Sequence, residues 1–69
     1  MYFENDRIIL TDDQATAYWG DDWIDQCHQN CGTIFFDGHE VYWNVTTDGV
    51  SDRCELESAD GVNFEEIYG

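Results

Sequence analysis

Lysine and proline are both missing from this 69-residue chain, and arginine occurs only twice, as Arg7 and Arg53. Sixteen Asp and Glu residues face those two cations, for a formal net charge of −14. Without a basic patch, the expectation is no direct binding to nucleic acid. An anionic surface is also repelled by anionic lipid, and no apolar run approaches the ~18 residues of a membrane span. The opening Met1-Tyr2-Phe3-Glu4-Asn5-Asp6 has neither a basic region nor an apolar core, so no secretory signal is expected. Three cysteines make an odd number, which suits a reducing compartment better than a disulfide framework. The sequon Asn44-Val45-Thr46 matters only outside the cell. The expected location is the cytoplasm of a host cell.

What is present is aromatic. Three Trp, four Tyr and four Phe each bury on the order of 150–250 Å², whereas acidic disordered tails are poor in such residues. The chain should fold, and as one domain over 1–69, because this length does not supply two cores.

The pattern along the chain predicts an α+β fold. Phe3–Leu10 ends in Ile8-Ile9-Leu10 and reads as a first strand. Thr11-Asp12-Asp13-Gln14 has the form of a capping box, with acids where the helix dipole favours them. Ala15, Trp19, Trp23 and Cys27 then follow at i, i+4 steps as an amphipathic stripe. Gly20 marks a break in it, and Asn30-Cys31-Gly32 a stop with Gly32 in the left-handed cap position. Beyond Gly32 the period becomes two. Asp37-Gly38, Asp48-Gly49 and Asp60-Gly61 are turn signals between Thr33–Phe36, His39–Val45, Asp52–Glu57 and Val62–Ile67. The last segment alternates least and has a terminal turn as its alternative. The expectation is an antiparallel sheet of three to five strands, a meander after residue 32, with one helical segment (about 12–30) packed on it.

The carboxylates are the candidate site. On alternating strands Glu55 and Glu57 point outward together, ~6.6–6.8 Å apart, with Glu40 beside them if its strand is adjacent. Asp21, Asp22 and Asp25 form a helical group. Asp48 and Asp52 support them from turns, and Tyr42 is an outward aromatic suited to an interface. Area scaling gives such a fold roughly 4,400 Å² of surface. Evenly spread, the acids stand about 17 Å apart, twice the ~8 Å Debye length. Clustering is therefore what a strong field requires.

Small, lysine-free, strongly acidic and aromatic-rich, the whole chain resembles the DNA-mimic proteins of phages and mobile elements. That class includes anti-CRISPR proteins, anti-restriction proteins and the uracil-DNA glycosylase inhibitor. The resemblance lies in size and charge and not in an alignable motif. It implies a stoichiometric inhibitor that fills the basic nucleic-acid groove of a CRISPR effector or another nucleic-acid-processing enzyme. The implied partner is a basic nucleic-acid-binding protein, and self-repulsion favours a monomer. Two alternatives stand beside it: a small accessory domain with halophilic or solubilising charge, and a small metal-binding protein.

Sharper motifs are weaker. Cys27, His28, Cys31, His39 and Cys54 invite a zinc reading, but C-x3-C with one remote cysteine lacks the usual paired knuckles. Asn44 to Glu55 partly fits a calcium loop, yet its flanks read as strands. No metal or cofactor is expected. Paired carboxylates serve acid–base catalysis only in a pocket that separates their pKa values, and these read as exposed. The expectation is a binding module and no enzyme.

Overall fold

Alternation of inward and outward side chains lays out five strands, and three short helices cover one face of them. The computed structural model describes residues 1–30 and 32–69. In chain order the elements are β1 (Tyr2–Glu4), β2 (Arg7–Thr11), α1 (Asp12–Trp19), α2 (Trp23–Gln29), β3 (Thr33–Phe36), β4 (His39–Thr47), β5 (Asp52–Ser58) and α3 (Phe64–Tyr68). They form one open antiparallel sheet in the order β1-β2-β5-β4-β3. The expected α+β fold and the β3–β4–β5 meander are present.

Period two explains the sheet. Val41 and Trp43 of β4, Cys54 and Leu56 of β5, and Ile8 and Leu10 of β2 all turn to one face. The helices bring Ala15, Trp23, Cys27 and Phe64 onto that same cluster. The stripe Ala15–Trp19–Trp23–Cys27 is thus the packing face, and it survives the break between helices. Gly20 (φ +101°) makes that break. Gln26 bridges it, its Nε2 donating to Trp19 O at 2.9 Å and to Asp22 Oδ1 at 2.7 Å. The capping box at Thr11 and Gln14 is formed in both directions.

The structure differs from the sequence reading at four points. The run Phe3–Leu10 is two strands, turned at Asn5 and Asp6 (φ 53° and 63°); Asn and Asp tolerate that left-handed region without glycine. Only Asp37-Gly38 makes the expected two-residue hairpin, while Asp48-Gly49 opens a four-residue loop and Asp60-Gly61 leads into a helix. The segment read as a fourth meander strand over Val62–Ile67 is α3, because Asn63 caps it by accepting from the Glu65 and Glu66 N–H groups. The end of α2 is capped at Asn30 and not Gly32, with Asn30 Nδ2 donating to Gln26 O at 2.8 Å. Cys31, part of the expected stop and of the zinc reading, lies outside the described residues.

Candidate partner-binding surface

The accessible surface is 4301 Å², close to the value expected from size, so the arrangement of the acids decides the field. The strand register defines the sheet's open face. Ile9 stands opposite Glu55, and Glu55 opposite Asn44; Thr11 stands opposite Arg53, and Arg53 opposite Thr46; Glu57 stands opposite Tyr42. Both arginines of the chain are on this face. Arg7 Nε lies 3.4 Å from Glu55 Oε1 and its Nη2 3.9 Å from Glu57 Oε1. Arg53 Nη1 lies 3.9 Å from Glu4 Oε2 and donates to the Tyr2 hydroxyl.

The outward pair Glu55 and Glu57 therefore exists, but Arg7 compensates it. Glu40 joins the face one register step away, opposite Phe35, and accepts from the Thr33 hydroxyl at 2.7 Å. Four carboxylates (Glu4, Glu40, Glu55, Glu57) against two guanidinium groups leave this face with only two net negative charges. The arginine Nε atoms are themselves buried, so both side chains lie flat on the strands. They help to explain why Ile9, on the open side, is only 2% exposed.

The other side is different. Asp12 and Asp13 begin α1, Asp21 and Asp22 precede α2, Asp25 is on α2, and Glu65 and Glu66 are on α3. All seven are exposed. Neither arginine comes within ion-pair distance of any of them. The α2 helix starts at Trp23, so only Asp25 of the expected trio is helical, and Asp21 and Asp22 belong to the turn. One contact ties the start of α1 to the start of α2: the buried Trp23 indole donates through Nε1 to Asp12 Oδ1 at 2.8 Å.

The turn acids are structural in part. Asp48 Oδ1 accepts from the Val50 and Ser51 N–H groups at 2.9 and 3.0 Å, and those bonds hold its carboxyl below the ordinary value. Asp60 is held low too. Desolvation opposes this, but the Ser58 hydroxyl, the Val62 N–H and His39 at 3.6 Å outweigh it. Asp52 is exposed at the start of β5, and Tyr42 is 47% exposed on the open face. The nine sequence-predicted site residues thus fall on two opposite faces and one loop.

Two clefts open on the surface of the described residues. One of about 620 Å³ lies between the end of α2 and β4, lined by His28, Asn30, Tyr42, Asn44 and Glu57 among others. A second of about 330 Å³ is lined by Met1, Tyr18, Phe36, Asp37 and Tyr68. Among the described residues no three His, Cys, Asp or Glu side chains gather around a common point, and no helix is long and apolar enough to cross a membrane. Cys27 and Cys54 are free and buried; Trp43 links them, accepting from Cys27 Sγ through its carbonyl and donating to Cys54 Sγ through Nε1.

Asp12 and Asp13, read from the sequence as first-turn acids of the capping box, and Glu65 and Glu66 of α3 lie outside the sequence-predicted set and share the helical layer with Asp25. Comparison with protein-family models, with curated proteins and with solved structures returned no match.

Proposed function

We propose that this chain is an acidic nucleic-acid mimic. It occupies the positively charged DNA- or RNA-binding groove of a CRISPR effector or another nucleic-acid-processing enzyme and blocks it stoichiometrically, through its helical layer. One observation carries the reading. Both arginines sit on the open sheet face, and the seven carboxylates of the helical layer have neither of them as a neighbour. Keeping like charges together costs stability, and a basic groove offsets that cost by supplying the missing counter-charges. Long-range attraction of this kind speeds encounter by 10–10³-fold and weakens steeply with salt.

The chain acts here as a binding module and not a catalyst, in the cytoplasm of the cell where its partner works, and as a monomer. The test is capture from a lysate of that cell on immobilised wild-type protein, eluted by a salt gradient. The expected partner is a nucleic-acid-binding protein that duplex DNA or RNA displaces. The variant D21K/D22K/D25K should lose it, while E55K/E57K should lose much less. Equal retention by the first variant, or a partner indifferent to nucleic acid, would overturn the proposal.

A further inference from the structure

The smaller cleft is an aromatic box with one carboxylate. Phe36, 6% exposed at the end of β3, is one wall, packed against Tyr18 of α1 with ring centroids 5.2 Å apart and planes 55° to each other. Tyr68 of α3 forms another wall. Its hydroxyl donates to Asp37 Oδ2 at 2.8 Å, which fixes the carboxylate and leaves Oδ1 without a partner among the described residues. Tyr18 is 61% exposed, so part of its ring is open to a ligand. Both arginines are engaged across the sheet and lysine is absent, so no basic side chain of this chain fills the cleft; Met1, which also lines it, brings only the α-amino group.

We infer that this cleft receives an arginine side chain of the basic partner, its guanidinium stacked on the Tyr18 and Phe36 rings and hydrogen-bonded to Asp37. Ring faces are negative and attract cations. A planar guanidinium both stacks on rings and forks onto a carboxylate, whereas an ammonium is a compact, strongly hydrated point charge. The volume of about 330 Å³ has room for one side chain rather than a chain segment. Because α1 and α3 also carry four of the seven helical-layer acids, long-range attraction brings a basic surface to the mouth of the cleft. This assignment rests on the proposed function for the source of the arginine, but the chemistry of the cleft is testable without a partner.

The experiment titrates the isotope-labelled full chain with blocked Gly-Arg-Gly, Gly-Lys-Gly and Gly-citrulline-Gly peptides, followed by NMR. The arginine peptide should give saturable shifts at Tyr18, Phe36, Asp37 and Tyr68. The lysine peptide should bind several-fold more weakly, and the neutral citrulline peptide should not saturate. D37N should weaken the arginine peptide about tenfold, the scale of one charge-assisted contact. Asn tolerates the φ of 52° at this turn, so the fold should be kept. E65Q removes one charge from a residue outside the cleft's lining and should change affinity less than about twofold. Equal effects of D37N and E65Q, or saturable citrulline binding, would overturn the inference. If that happens while D21K/D22K/D25K still loses a nucleic-acid-binding partner, the proposed function stands without the arginine box. Saturable arginine binding beside a partner indifferent to that variant would keep the arginine box and remove the mimic.

Discussion

The Trp23 indole donates to Asp12 Oδ1 at 2.8 Å, and this one bond ties the start of α2 to the start of α1. Trp23 is 0% exposed, so its N–H has no water to turn to. The exposed Asp12 therefore both caps a buried donor and stands at the edge of the acidic layer. D12A should lower stability by about 1–3 kcal/mol, the usual cost of stranding a buried donor. D12N keeps an acceptor and should cost well under half of that. Urea unfolding of both variants checks it, and equal losses would show that charge and not the hydrogen bond is at work.

The buried thiol of Cys54 gives a second prediction. Burial pushes it up to about 12, against a smaller downward pull from the Trp43 indole. At pH 8 the thiolate fraction is then on the order of 10⁻⁴. Iodoacetamide should leave Cys54 unmodified in the native protein, and label it only as fast as the core opens. Peptide mapping by mass spectrometry reads this. Prompt native-state labelling would contradict the packing of β4 on β5.

The docking of α3 should weaken at high pH. Desolvation first, and then the bond to Asp37, raise the Tyr68 phenol to about 12. A group raised in the folded state contributes fully below its unfolded value, about 10, and loses that contribution as pH climbs through the folded value. The stability attached to Tyr68 should therefore fade between about pH 10 and 12. Y68F should lack this step. Thermal melts of both proteins across that window decide it.

At low pH the sign reverses. Asp48 and Asp60 are depressed, so their contributions are present above the unfolded value of 3.8 and are lost as pH falls through the folded values. The stability these two carboxylates contribute should therefore fade as pH falls below about 4. Urea unfolding across that range should show a smaller fall for D48A than for wild type. An equal fall in D48A would show that the Val50 and Ser51 N–H bonds do not hold the carboxyl down.

Much of this fold was legible because local chemistry and packing agree. The Thr11 box, the stripe from Ala15 to Cys27 and the alternation through Val41–Val45 and Cys54–Leu56 all name the face that is buried. What escaped was decided by contacts distant in sequence. Nothing near Glu55 and Glu57 announces that Arg7, almost fifty residues earlier, pairs with both across β2 and β5. Asn5-Asp6 turns without glycine, and Asn63 converts an alternating segment to helix through one side chain. The aromatic cleft joins β3, α1 and α3, so no single stretch of chain records it.

The most direct test of the mimic is competition at equilibrium. Captured partner is titrated with duplex DNA or RNA in the presence of wild type, D21K/D22K/D25K or E55K/E57K. Wild type should exclude the nucleic acid one-for-one, with an affinity that falls steeply between low and physiological salt. The helical-layer variant should not compete, and the sheet-face variant should. A partner that binds protein and nucleic acid together, or that both variants release alike, would contradict the claim that the helices carry the phosphate-like face.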